Sequence, residues 1–112
     1  MQLNSNNEKI IYNGEDIVNV LKEIEYILVS LHDMGSYYAE NTHAGRDEYE
    51  KETTAFIDNS LVCDRLAAVR KKLSEKFDLS LGEDDMDDIE RACRNIGYWR
   101  RPGDSSDKFW AS

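Results

Sequence analysis

The 112-residue chain has no long apolar run, and this absence limits where the protein can act. No stretch approaches the roughly 18 apolar residues that a membrane-spanning helix needs. Residues 1–8 are polar and have neither the basic segment nor the apolar segment of a signal peptide. We therefore expect a cytoplasmic protein without a membrane partner, and we expect residues 1–8 to be flexible.

Cysteine is also scarce. The two cysteines, Cys63 and Cys93, lie within helical patterns and form neither a CxxC pair nor a zinc-type spacing. Unpaired cysteines are often buried as small apolar residues. We therefore expect both to be reduced residues of the core, without a disulfide bond or a bound metal.

Motifs for catalysis and cofactor binding are absent. The chain contains no G-x-S-x-G sequence, no G-x-G-x-x-G sequence and no Walker loop. The acidic run Glu83–Glu90 lacks the glycine that a calcium-binding EF-hand loop requires, and His32 and His43 do not have the spacing of metal ligands. We therefore expect no enzyme activity, no cofactor and no metal site.

Helical periodicity is the strongest positive signal. Apolar residues within Asp16–Met34 recur at steps of three and four, which predicts an amphipathic helix of about five turns. Asn13 or Gly14 can cap its start, and Gly35 is expected to end it, although residues 37–39 could continue a short helical turn before the loop at 41–45. The preceding residues 9–12 are either a brief strand or an extended lead-in.

A second helical pattern covers residues 46–77. Its weak point is the run 58–60, three poor helix formers, so one bent helix and two helices split there fit the pattern equally well. A further helix is predicted over residues 83–96, followed by a non-helical aromatic tail, 98–112. The fold class is therefore all-α, with a single domain (1–112) of three to four mostly antiparallel helices.

The predicted core joins the apolar stripe of the first helix to those of the later helices. The first helix contributes Ile17, Val20, Leu21, Ile24, Ile27, Leu28 and Leu31. The later helices contribute Phe56, Cys63, Leu66, Leu73, Ile89 and Ile96.

Acidic residues outnumber basic ones by 23 to 14, which gives a net charge of −9. Residues 1–60 carry most of this excess, with 12 acidic and 4 basic side chains. A negative surface repels nucleic-acid phosphates and attracts basic proteins. We therefore expect a basic protein partner and no direct binding of nucleic acid.

Two acidic clusters and the aromatic tail are the candidate binding surfaces. One cluster spans Glu40–Glu52, and the other spans Glu83–Glu90. Each cluster also has a plainer explanation as a solvated helix face, and the second suits the N-terminal end of a helix dipole. A tryptophan of the tail is typical of interface hot spots, although it can also close the core. The candidate partner-binding residues are Asp47, Glu48, Glu52, Asp84, Asp85, Asp88 and Trp99.

In size, charge and these two clusters, the chain resembles the immunity proteins of bacterial toxin systems, such as contact-dependent growth inhibition and bacteriocin pairs. Those proteins are small cytosolic inhibitors, often acidic, that occupy the basic active-site surface of a nuclease toxin. The resemblance implies an immunity-type inhibitor that binds and neutralises a basic cognate toxin. The alternatives are a phage-encoded, anti-CRISPR-like mimic of nucleic acid and a homodimerising helical regulatory module.

Overall fold

A computed structural model describes residues 2–41 and 45–103, and every regular element in these ranges is helical. The predicted all-α fold class is confirmed, since the three longest helices all pack against one another. No helix in the described ranges is both long and apolar enough to cross a membrane. The elements are a 3-10 helix (Ser5–Asn7) and four α-helices, α1 (Gly14–Glu40), α2 (Arg46–Asn59), α3 (Val62–Ser74) and α4 (Asp88–Cys93).

Helix α1 is longer than the sequence predicts. The Asn13 side chain caps its start by accepting a hydrogen bond from the backbone N–H of Glu15 at 2.9 Å. The prediction that Gly35 ends the helix is wrong, because α1 continues to Glu40. A glycine inside a helix costs roughly 0.5–1 kcal/mol. The tyrosine contacts of the added turn offset that cost.

Both α2 and α3 run antiparallel to α1. Near the C-terminal end of α1, the ring of Tyr38 lies 5.6 Å from that of Tyr49 in the first turn of α2. In the N-terminal half of α1, Glu23 accepts a hydrogen bond from Arg65 of α3 at 2.7 Å. The two halves of α1 therefore pack on two different helices.

The break between α2 and α3 falls at Ser60 and Leu61, so the alternative of two helices is correct. Leu61 has a φ of 54°, in the left-handed region that a residue with a side chain rarely adopts. Arg65 donates a hydrogen bond to the Ser60 carbonyl at 2.8 Å. This bond satisfies one of the carbonyls that the end of α2 leaves without an intrahelical partner.

The residues before α1 form an irregular lead-in and not a strand. The Tyr12 hydroxyl donates a hydrogen bond to the Leu73 carbonyl. Lys76 lies over the Tyr12 ring and donates to the Ile11 carbonyl at 2.8 Å. These contacts hold the start of α1 against the end of α3.

The core between the helices is small. Its buried apolar side chains are Val20, Ile27, Val62 and Val69, and no large side chain of the described residues is completely buried. A helix that packs on one side leaves the rest of a wide apolar stripe in solvent. The core prediction is therefore wrong for Leu21, Leu28, Cys63, Leu66, Leu73 and Ile96, which are exposed, while Ile17, Ile24, Leu31, Phe56 and Ile89 are half-buried.

The chain groups into two compact units, Ile11–Lys76 and Met1–Ile10 with Phe77–Ser112. The first unit contains α1, α2 and α3. The second contains the 3-10 helix, α4 and residues 98–103, which are non-helical as predicted.

Helix α4 is shorter than the predicted helix over 83–96. It begins after Asp87, whose side chain accepts a hydrogen bond from the Glu90 N–H at 2.8 Å within a capping box. Asp85 has a φ of 60°, which is incompatible with a helix through that position. Residues 83–85 therefore form a turn, and of the acidic run only Asp88 and Glu90 lie in the first turn of a helix.

Candidate partner-binding surface

Two glutamates of α2 lie on one helical face. Glu48 and Glu52 are four residues apart, so they lie one turn apart on the same side of the helix. Both are exposed, as is Asp47, which lies about 100° further round the helix. Within residues 2–41 and 45–103, none of the three forms an ion pair. Their carboxylates are therefore exposed and have no ion-pair partner in these ranges.

The last turns of α1 bring two tyrosines beside these glutamates. The rings of Tyr37 and Tyr38 meet edge to face, with centroids 4.9 Å apart. Tyr37 is 55% exposed, and both tyrosines line an open groove of about 350 Å³ together with Glu52. We call the group formed by Tyr37, Tyr38, Glu48 and Glu52 the acid–tyrosine surface.

The pKa of Tyr38 depends on both glutamates. Partial removal of the Tyr38 hydroxyl from water raises its pKa, and the negative charges of Glu52 and Glu48 raise it further. Glu48 and Glu52 therefore both lie close enough to act on the Tyr38 hydroxyl.

Arg46 borders this surface but neutralises a different carboxylate. Its Nε donates a hydrogen bond to Glu50 at 3.1 Å. Its guanidinium lies over the Tyr49 ring, 5.5 Å from the centroid. Arg46 is therefore paired with Glu50 and not with Glu48 or Glu52.

One arginine neutralises much of the second acidic cluster. Arg91 donates to both carboxylate oxygens of Asp84, at 2.6 and 2.7 Å, and to Asp88 at 2.9 Å. Its guanidinium holds the pKa of the Asp84 carboxyl well below its usual range. Asp88 is only 6% exposed, so the prediction of a solvated face is wrong there, while Asp85 stays exposed. Gly82 permits the arrangement, since a Cβ there would lie 2.7 Å from Nη2 of Arg91.

Asparagines near the N-terminus complete this cluster, although the sequence predicts a flexible segment there. Oδ2 of Asp88 accepts hydrogen bonds from the Asn4 backbone N–H at 2.7 Å and from the Asn7 amide at 2.8 Å. The Asn7 bond is the main cause of the lowered pKa of Asp88. The Asn7 side chain also pairs with the backbone N–H and carbonyl of Asp78, at 2.7 and 2.9 Å. We call Asn4, Asn7, Asp78, Asp84, Asp88 and Arg91 the Asp88 network.

Acid is expected to unfold the unit that contains the Asp88 network. Hydrogen bonds, chiefly from Ser80, lower the pKa of Asp78 to about 2, and the pKa values of Asp84 and Asp88 are lowered as well. A carboxyl of this kind contributes stability above its unfolded pKa of about 3.9, and the contribution is lost as the pH falls through the folded pKa. We expect a loss of structure between about pH 4 and pH 2, measured by the amide NMR signals of α4.

The Asp78→Asn variant is the control for this titration, because an amide does not ionise. It should be less stable at neutral pH, and its stability should change less on acidification. Amide signals of α4 that stay unchanged down to about pH 2 in the natural chain would contradict the assigned pKa shifts.

Trp99, the last of the predicted partner-binding residues, is 61% exposed and does not close the core. It belongs to the second unit, whereas the acid–tyrosine surface belongs to the first. The structure therefore groups Glu48 and Glu52 with two tyrosines that sequence reasoning did not select. The aromatic residues Phe109 and Trp110 of the tail, and His43, lie outside the described residues.

Neither cysteine forms a disulfide bond, and only Cys93 is partly buried. The prediction that Cys63 is a core residue is wrong, because its thiol side faces solvent. Over residues 2–41 and 45–103, no group of three His, Cys, Asp or Glu side chains is arranged to hold a metal ion.

Comparison with known proteins gave no relative: no family model, no curated protein and no solved structure matches this chain. Its function must therefore be argued from its own residues.

Proposed function

We propose that the protein is an immunity-type inhibitor that binds and neutralises a basic toxin through the acid–tyrosine surface. The observation that carries this proposal is the pair Glu48 and Glu52, which is exposed and without an ion pair in the described ranges, beside the exposed ring of Tyr37. The proposed partner is a protein, not a nucleic acid or a membrane. The proposed activity is stoichiometric binding in the cytoplasm, without catalysis and without a cofactor.

The proposed mechanism is occupation of a phosphate-binding surface. A nuclease holds nucleic acid with basic side chains, and carboxylates spaced along a helix can contact the same side chains. Charged groups on a surface mainly speed association and select the partner, while aromatic side chains supply area that loses water on binding. Glu48 and Glu52 suit the first role, and Tyr37 and Tyr38 suit the second.

Of the two acidic clusters, the one on α2 is better suited to a cationic partner. Asp84 and Asp88 already face Arg91, so a partner cation would have to displace an internal ion pair to reach them. Glu48 and Glu52 require no such exchange. Asp47, next to Glu48 in the sequence and also exposed, can extend the contact. In the second cluster, Asp85 is exposed and is not paired with Arg91.

Affinity capture from the native host tests this proposal, with the full chain as bait. We expect the natural chain to retain a basic nuclease, whose activity an equimolar amount of the chain suppresses. The Glu48→Lys/Glu52→Lys variant should lose this protein. Glu8→Lys/Glu83→Lys is the matched control, because it makes the same change of charge at two exposed positions outside the surface and should retain it.

Three outcomes would contradict the proposal. The first is that no basic protein is captured at low salt, and the second is that both double variants capture the same protein equally. The third is that Trp99→Ala abolishes capture in a folded chain while Glu48→Lys/Glu52→Lys does not. In that case the interface is the aromatic tail, and the carboxylates of α2 are an ordinary solvated face.

A further inference from the structure

A stripe of apolar side chains on α1 faces solvent. Val18, Leu21, Leu28 and Val29 are 51%, 52%, 59% and 47% exposed. By the period of the helix they lie together on one side, away from the side that supplies the core. Single apolar residues on a surface are ordinary, but a contiguous group of this kind indicates an interaction site.

Two opposite charges lie at the centre of this group. Lys22 and Glu25 are both exposed, and neither forms an ion pair within the described part of the chain. The order along the helix is therefore apolar, basic, acidic, apolar. We call this surface the α1 stripe, which consists of Val18, Leu21, Lys22, Glu25, Leu28 and Val29.

We infer that the α1 stripe is the interface between two copies of this chain, packed antiparallel about a two-fold axis. In that arrangement Lys22 of each copy lies opposite Glu25 of the other, so the ion pair forms twice. Val18 then lies opposite Val29. A two-fold interface must be complementary to itself, and the nearly symmetric order of the stripe meets this requirement. A different protein as occupant would not require such symmetry.

The area that a dimer needs implies that the interface extends beyond the α1 stripe to α3. A stable dimer covers about 800 Å² on each partner. The stripe is about 17 Å long and roughly 10 Å wide, so it supplies only about a fifth of that area. Leu66 and Leu73 of α3 are 46% and 36% exposed. A groove lined by Ala68 and Lys72 marks one side of the α1–α3 pair. The helical period places Leu66 and Leu73 on the other side of this pair, which also carries Leu21 and Leu28. A second copy would cover both helices and enlarge a core in which no large side chain of the described residues is fully buried.

Analytical ultracentrifugation of the full chain tests this inference. At about 100 µM we expect the natural chain to sediment as a dimer. Lys22→Glu and Glu25→Lys each replace two attractive contacts by two repulsive ones, so each should raise the dimer Kd about tenfold. An equimolar mixture of these two variants should form a heterodimer with the natural Kd, because every charge then faces an opposite charge.

Two controls separate this interface from other effects of charge. Glu8→Lys makes the same change as Glu25→Lys outside the stripe and should leave the Kd unchanged. Glu48→Lys/Glu52→Lys should also stay dimeric, so the dimer and the proposed toxin site can fail independently. A monomeric natural chain at about 100 µM, or a mixture that regains no affinity, would overturn the inference.

Discussion

Ile27→Ala is expected to lower the free energy of unfolding by about 2–5 kcal/mol, the largest effect of any single substitution in the helical core. Ile27 is 7% exposed and lies near the middle of α1. Its truncation removes buried apolar area and leaves a cavity that the neighbouring helices can only partly fill. Urea unfolding followed by circular dichroism at 222 nm measures the change.

Two other isoleucines are controls for this prediction. Ile24 lies one turn earlier and is half-buried, so Ile24→Ala should cost less. Ile11 is 78% exposed, and Ile11→Ala should change stability by less than about 0.5 kcal/mol. Equal losses at Ile27 and Ile11 would show that the core is placed wrongly.

Asn7→Ala is expected to destabilise the second unit by at least about 2 kcal/mol. Each buried polar group that is left without a partner costs roughly 1–3 kcal/mol. Asn7 is 4% exposed, and its side chain satisfies the backbone N–H and carbonyl of Asp78 and one oxygen of Asp88. Denaturant titration followed by the amide NMR signals of α4 measures the loss, because α4 belongs to this unit.

Asn6→Ala is the matched control for Asn7→Ala. The Asn6 side chain donates one exposed hydrogen bond to Asp78 at 2.7 Å, and water can replace that bond. Its loss should be well below 1 kcal/mol. If the two asparagine variants are equally stable, the Asp88 network does not hold the N-terminal segment.

The helical period predicted which elements form, but not how far they extend. Gly35 was expected to end α1, yet Leu31, Met34 and Tyr38 continue the spacing of three and four across it. That spacing is the signal that could have placed Tyr38 on the side facing α2. A local glycine preference competes with packing, and at this position packing prevails.

The width of the core was less predictable than its position. An apolar stripe on one helix identifies the residues that can be buried, but neighbouring helices decide how many of them are covered. Val20 and Ile27 are buried, whereas Leu21 and Leu28, each the next residue along the helix, stay exposed. The period alone cannot separate these two pairs.

The charged residues show the same limit. Both acidic clusters are evident in the sequence. The ion pairs of Arg91 with Asp84 and Asp88 are not, because they depend on the turn before α4. The sequence predicted a helix through this turn. Glu48 and Glu52 share a face of α2, and this can be derived from the sequence because a spacing of four within one helix is local information.

The association rate of the captured partner with the purified chain, measured against salt concentration, tests the role of the acid–tyrosine surface most directly. Exposed charges act over about 10 Å at 0.1 M salt and over less at higher salt. We expect the rate for the natural chain to fall steeply between about 0.05 and 0.5 M salt, and the rate for Glu48→Lys/Glu52→Lys to be slow and nearly independent of salt. Identical rates and identical salt dependence for the two chains would contradict the proposed role of Glu48 and Glu52.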